Sequence, residues 1–126
     1  MALVLLIDDD PFFRNVFRRM LEGGGHAVIE AEDGAEGIEA YKQHRPAVAI
    51  VDIYMPDIEG GEVIRRLKEF HADSRIIAIS GSNAFHEDLE YIDRLKGIGV
   101  QAVLRKVDSK EVVLGQIEQA LRATAR

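Results

Sequence analysis

The feature that most constrains the fold of this chain is an alternation of short apolar runs with amphipathic helical patterns, repeated five times. Each apolar run is short and closed by a polar residue or a turn signal, which is typical of a strand buried on both faces of a sheet. Strands that alternate with helices in this way are joined by right-handed crossovers. The sequence therefore predicts an α/β fold with a parallel sheet and helices on both of its faces.

The boundaries follow from these runs and from helix start signals. The predicted strands are Leu3–Ile7, Ala27–Ala31, Ala47–Val51, Arg75–Ile79 and Ala102–Arg105. The predicted helices begin at Asp10-Pro11, Asp33, Gly61, Phe85 and the segment 108–111, the fourth running over Phe85–Leu95. The third helix is expected to place Val63, Ile64, Leu67 and Phe70 on one face, which is read as core or interface. For five βα units the common strand order is 2-1-3-4-5, so we predict a doubly wound, five-stranded (βα)5 flavodoxin-like sheet.

Length and composition exclude several classes of protein. The 126 residues fit one domain, and no internal linker or repeat is visible, so we expect a single domain over 1–126 with no effector domain in this chain. The net charge of −6 argues against direct nucleic-acid binding, which needs a basic face. The absence of cysteine excludes disulfides and thiolate chemistry. The first apolar run is too short for a membrane span, so we expect no membrane association and a cytoplasmic location. The four histidines are expected on the surface or in loops.

The candidate site residues follow four of the five predicted strands. They are Asp8, Asp9 and Asp10, then Asp52, then Ser80, and finally Lys106. In a doubly wound sheet these strand ends lie on one rim, where ligands bind. Clustered carboxylates repel one another, and a divalent cation removes that cost. Because Mg²⁺ prefers oxygen ligands and no histidine or thiol is placed to favour a softer metal, the rim predicts a Mg²⁺ site.

The same rim carries the groups that phosphoryl transfer needs. A carboxylate such as Asp52 can act as a nucleophile and form an aspartyl phosphate. Ser80 offers a hydroxyl donor and Lys106 a positive charge for the phosphoryl oxygens. Phosphoryl transfer requires little beyond positioning and charge stabilisation.

Four strings carry a resemblance to a known family. They are "LLIDDDPFFR" at 5–14, "VDIYMPDIEGGEV" at 51–63, "IIAISGS" at 76–82 and "VLRKV" at 103–107. In this order and spacing they resemble the receiver domain of two-component response regulators, the CheY-like superfamily, over nearly the whole chain. The resemblance implies a phosphorylation-controlled signalling switch of a phosphorelay that catalyses only its own phosphorylation and dephosphorylation and is otherwise not an enzyme.

The resemblance also implies roles for individual residues. Asp52 would accept the phosphoryl group from the phosphohistidine of a sensor histidine kinase or phosphotransfer protein. Asp9 would bind Mg²⁺ directly, Asp8 mostly through water, and the carbonyl of Tyr54 would complete the protein ligands together with Asp52. Asp10 is expected to cap the first helix only.

Two more residues match functional positions of the family. Ser80 matches the switch hydroxyl and Lys106 the invariant lysine. Phosphorylation would change the binding of a downstream effector protein at the face formed by the fourth helix, the fifth strand and the fifth helix. A homodimer through that face is a further state that the resemblance allows.

Two residues depart from the family pattern. Val107 stands where the family usually has a proline after the lysine, and a cis bond before a residue other than proline costs about 2.5–4 kcal/mol. We therefore predict a trans Lys106–Val107 bond and a shifted loop after the fifth strand. Val103 stands where a tyrosine or phenylalanine is usual, so the output is expected to differ from the commonest scheme.

Three alternatives stay open. A pseudo-receiver, an interaction domain that never takes phosphate, is kept open by Val103 and Val107. A phosphohydrolase of the haloacid dehalogenase type would use the Asp-x-Asp of Asp8–Asp10, but its late acidic pair is missing. A flavin or nucleotide binder is disfavoured because no glycine-rich loop follows the first strand.

Overall fold

The computed structural model describes residues 1–81 and 89–123, and strands and helices alternate along these ranges. The strands are β1 (Leu3–Ile7), β2 (Ala27–Ala31), β3 (Val48–Asp52), β4 (Ile76–Ser80) and β5 (Ala102–Arg105). The helices are α1 (Pro11–Gly23), α2 (Gly34–His44), α3 (Gly60–Phe70), α4 (Leu89–Gly97) and α5 (Lys110–Arg122). The predicted start of the fourth helix, at Phe85, lies outside the described residues.

The five strands form one parallel sheet in the order β2-β1-β3-β4-β5. The predicted α/β fold class and strand order are confirmed. The strand order reverses at β1, because β2 lies on one side of it and β3 to β5 lie on the other. The carboxyl ends of β1 and β3 lie side by side at this point. This is the position at which open α/β sheets bind their ligands.

Two apolar layers cover the sheet. Along β1, Leu5 and Ile7 face the cluster formed with α2, α3 and α4, whereas Val4 and Leu6 face the cluster formed with α1 and α5. This alternation follows from the two-residue period of a strand, which sends successive side chains to opposite faces. Because β3 and β4 are buried along their whole length, the residues at their carboxyl ends are held in a rigid frame.

The helix starts agree with the predicted signals at three places. Asp10 caps α1 by accepting a hydrogen bond from the Phe12 N–H at 2.9 Å. Asp33 caps α2, and Ser109 caps α5. Helix α3 begins at Gly60, one residue before the predicted start, and its N-cap residue makes no side-chain cap.

Other boundaries and burial assignments differ from the predictions. Both β3 and β4 lie one residue later than predicted, because backbone pairing continues through the polar end of each strand and matches Asp52 with Ile79. On the predicted apolar face of α3, Val63, Ile64 and Leu67 are buried, whereas Phe70 is 39% exposed. His26 lies in the loop before β2, which is one of the two places expected for the histidines, but it is buried, and its Nδ1 accepts a hydrogen bond from the Ala2 N–H at 3.1 Å. Among the helices within the described ranges, none has the length and apolarity needed to cross a bilayer.

Candidate functional site

Three carboxylates converge at the carboxyl ends of β1 and β3. The sheet register pairs Ile7 with Val51, so Asp8 and Asp52 follow at the same level on adjacent strands. One oxygen from each of Asp8, Asp9 and Asp52 lies within 4.8 Å of the other two. Asp8 and Asp52 are buried, whereas Asp9 is exposed at the rim. The cluster thus combines two buried carboxylates with a third carboxylate that ions in the solvent can reach.

Lys106 joins the two buried carboxylates. Its Nζ lies 3.0 Å from Asp8 Oδ2 and 3.2 Å from Asp52 Oδ2, and its side chain is only 8% exposed. The ammonium also lies 4.6 Å from the centroid of the Phe13 ring, a cation–π contact. Burial lowers the pKa of Lys106, but the hydrogen bond to Asp8 and the charges of Asp52 and Asp8 outweigh it and raise the pKa above its ordinary value.

The Asp52 carboxyl is the strongly perturbed acid of the cluster. Burial, followed by the charge of Asp8, raises the pKa of Asp52 to about 7, against the opposing pull of Lys106. Its Oδ1 accepts a hydrogen bond from the Tyr54 N–H at 2.9 Å, and its Oδ2 faces Lys106. Asp52 is therefore oriented through both oxygens, and its ionised form needs more positive charge than Lys106 alone supplies.

Ser80 stands at the end of β4, next to β3. It is 1% exposed, and within the described part of the chain its Oγ has no hydrogen-bond partner. A buried hydroxyl without a partner costs free energy and is retained where a ligand or ordered water completes it. The Lys106 N–H donates to the Ser80 carbonyl at 3.0 Å, so the ends of β4 and β5 are tied together.

Two further predictions concern the loops around the site. The Lys106–Val107 peptide bond is trans, as predicted, and Val107 is 79% exposed. Tyr54 is 43% exposed, and its carbonyl as a metal ligand stays a prediction. The sequence predicts no role for Phe13 at the site. Its contact with Lys106 depends on the packing of α1 against the β5 end, which no local pattern encodes.

The residues present fit a hard divalent cation. Among the described residues the cluster offers three carboxylates and no histidine, which is the all-oxygen donor set that Mg²⁺ prefers. The raised pKa of Asp52 points the same way, since a second cation would relieve the repulsion between Asp52 and Asp8. Asp8, Asp9 and Asp52 are the side chains that would hold the ion.

The raised pKa of Asp52 predicts a pH-dependent stability of the metal-free protein. The pKa is about 7 in the folded state and 3.8 for an ordinary aspartate, so the folded state binds more protons between these values. Stability from this group is therefore lost as the pH rises toward 7. We expect Asp52→Asn to exceed wild type in melting temperature in EDTA by a clearly larger margin at pH 8 than at pH 5, because most of the loss falls between these pH values.

The comparison between the two proteins isolates Asp52, because the other titrating groups are shared. Adding Mg²⁺ at pH 8 is expected to stabilise wild type and to have less effect on Asp52→Asn, since a ligand that binds only the folded state raises its stability. Parallel melting curves of the two proteins in EDTA at both pH values would contradict the assignment.

Comparisons with known proteins agree with this geometry. A family model described as the response regulator receiver domain matches residues 4–119. The chemotaxis protein CheY of Halobacterium salinarum is 33% identical over 120 residues, which cover 95% of this chain and 97% of that protein. The response regulator MprA of a Mycobacterium species is 30% identical over 122 residues, covering 97% of this chain but 51% of that protein. The chain thus spans about half the length of this second relative.

A solved structure supports the fold independently. The crystal structure of a two-component response regulator of the LuxR family, from Aurantimonas sp., matches with a TM-score of 0.88. The match covers 99% of this chain and 88% of that one at 24% sequence identity. At this identity the likeness concerns the fold alone.

Proposed function

This chain belongs to the family of response regulator receiver domains, and on that premise we propose that Asp52 is its phosphoacceptor. The family supports a phosphorylation-controlled signalling switch. The observation that carries the assignment to Asp52 is its environment: a buried carboxylate with a pKa raised to about 7, paired with Lys106 and adjacent to Asp8. Asp8 and Asp9 follow the neighbouring strand and are assigned to the metal.

In the proposed reaction a carboxylate oxygen of Asp52 attacks the phosphorus of a phosphohistidine. The new O–P bond forms as the P–N bond breaks, and the imidazole nitrogen leaves with the electron pair. A bound Mg²⁺ would neutralise charge on the transferring group. The Lys106 ammonium can pair with phosphoryl oxygens once Asp52 carries the acyl phosphate, and the Ser80 hydroxyl, which lacks a partner in the described structure, can donate to them.

The proposed partners follow from this chemistry. The phosphoryl donor is a sensor histidine kinase or a phosphotransfer protein, and a downstream effector protein binds the phosphorylated form at the face formed by α4, β5 and α5. We propose that residues 1–126 act as one receiver domain in the cytoplasm, without direct contact with nucleic acid. Alternatively, a second copy of this chain binds the same face and forms a homodimer.

Labelling two aspartate variants tests this assignment. We expect acetyl phosphate with Mg²⁺ to add one phosphoryl group to wild type and none to Asp52→Asn. We expect Asp8→Asn to be labelled more slowly but still to take the group, because it loses charge at the metal site and keeps the nucleophile. Intact mass measured over time gives both the extent and the rate.

Two other outcomes would contradict the proposal. Labelling of Asp52→Asn but not of Asp8→Asn would favour a phosphohydrolase that uses the first strand. No labelling of wild type by acetyl phosphate or by a panel of phosphorylated kinases would favour a pseudo-receiver, and Val107 would be the first residue to replace.

A further inference from the structure

A guanidinium on α1 contacts the backbone that carries the acidic pair. The Nη1 of Arg14 donates to the carbonyl oxygen of Asp8 at 2.8 Å, and its Nε donates to Glu30 Oε1 at 3.1 Å. The Arg14 side chain is only 16% exposed. Glu30 lies on β2, so Arg14 is anchored to the sheet on one side and to the end of β1 on the other.

The carbonyl that Arg14 holds belongs to the peptide unit between Asp8 and Asp9. The Asp8 N–H donates to the Ala31 carbonyl at 3.1 Å, and Asp8 Oδ1 accepts from the Asp10 N–H at 2.9 Å. Those bonds fix Asp8 itself. The plane of the following peptide, from which the exposed Asp9 side chain departs, is fixed by Arg14.

The positive charge of Arg14 bears on Mg²⁺ binding separately from its hydrogen bonds. A cation beside three carboxylates competes with a metal ion, so by charge alone Arg14 would weaken the binding of Mg²⁺. Glu30 forms an ion pair with Arg14, which reduces that competition. The two hydrogen bonds of Arg14 are therefore suited to orienting the backbone. Through this orientation Arg14 raises the affinity for Mg²⁺, whereas its charge alone would lower it.

We propose that Arg14 is a positioning residue for the divalent cation. Arg14 orients the Asp8–Asp9 peptide and thereby presents Asp9 to the ion before the ion binds. This inference rests on the proposed function of the acidic cluster as a metal site. It adds a residue outside the carboxylates, and Glu30 as its anchor, to the groups that set metal affinity.

The test is the affinity of Arg14→Met for Mg²⁺ at pH 8, without any phosphoryl donor. It is measured from the changes in chemical shift as Mg²⁺ is added. Removing an outer-shell partner of a metal ligand typically lowers affinity about 10–100-fold, and we expect about tenfold here. Arg18→Met is the matched control. Arg18 lies one turn later, pairs with Glu22 at 3.1 Å and with Glu30, and its side chain is 42% exposed. We expect its loss to leave affinity unchanged or slightly higher.

A second readout separates positioning from general damage. At saturating Mg²⁺ the labelling rate of Arg14→Met is expected to approach that of wild type, while the Mg²⁺ concentration for half-maximal rate rises. Arg14→Lys keeps the competing charge but loses the fork, so its affinity for Mg²⁺ is expected to be no higher than that of Arg14→Met. Amide spectra in EDTA report whether each variant is folded.

The outcomes distinguish this inference from the proposed function. Arg14→Met that binds Mg²⁺ as tightly as wild type, or more tightly, overturns the positioning role alone. The same weakening in Arg18→Met would assign the effect to the shared pairing with Glu30 rather than to the Asp8 carbonyl contact, and would overturn it as well. Wild type that binds no Mg²⁺ would overturn both proposals.

Discussion

Replacing Lys106 with methionine is expected to destabilise the metal-free protein at pH 8 by about 3–5 kcal/mol, the usual cost of removing one partner of a buried ion pair. The ammonium is 3.0 Å from Asp8 and 3.2 Å from Asp52, both of which are buried. Without Lys106 two neighbouring carboxylates lose their compensating charge. Urea unfolding in EDTA measures the free energy directly.

The reason for the loss can be tested by restoring the charge balance in two ways. Lowering the pH to 5 protonates Asp52, whose pKa rises further without Lys106, and Mg²⁺ supplies positive charge at pH 8. Both treatments are expected to return part of the stability. Lys96→Met, at an exposed position on α4, is the control and is expected to change stability by less than about 0.5 kcal/mol. A Lys106→Met protein as stable as wild type in EDTA at pH 8 would refute the electrostatic account.

Replacing Gly60 with alanine is expected to damage both the fold and the site. A Cβ on Gly60 would lie 2.4 Å from the carbonyl oxygen of Asp52 and 2.4 Å from the Cα of Ile53. Both atoms belong to the backbone, so α3 and the end of β3 must move apart. Overpacking of a core typically costs about 1–3 kcal/mol, and a clash with two backbone atoms falls at the upper end or beyond. Urea unfolding measures the loss.

The functional effect of the same change follows from the position of Asp52. Because the displaced backbone carries Asp52, we expect slower labelling by acetyl phosphate and weaker Mg²⁺ binding in the folded fraction. Gly115→Ala on α5 is the control, since its Cβ would meet nothing within 4 Å. That control is expected to gain about 0.5–1 kcal/mol from helix propensity. Equal stability of Gly60→Ala and wild type would show that the close approach is not required.

The fold could be predicted closely because its signals are local. Apolar runs gave β1, β2 and β5 with their observed ends, and the capping residues Asp10 and Asp33 were correctly identified. The ends of β3 and β4 lie one residue later than the apolar runs predict, because each run stops before the polar side chain. Strand pairing depends on the backbone, which continues through Asp52.

The site could be predicted only as a set of residues on one rim. The contacts that define it join distant parts of the chain: Lys106 with Asp8, which are 98 positions apart, and Arg14 with Glu30. The sequence predicts no role for Arg14, because a single arginine on an amphipathic helix is usually a solvated residue. Helix periodicity predicts that Phe70 shares a face with Val63, Ile64 and Leu67, but not how deeply a residue at the edge of that face is buried.

Locating the phosphoryl group tests the central claim most directly. Borohydride reduces an aspartyl phosphate to homoserine, which marks the modified position in the chain. Wild type incubated with acetyl phosphate and Mg²⁺, reduced, and sequenced by tandem mass spectrometry is predicted to carry homoserine at position 52, and none when EDTA replaces Mg²⁺. Homoserine at Asp8 or Asp9, or at no position despite bound Mg²⁺, would contradict the assignment of Asp52 as the phosphoacceptor.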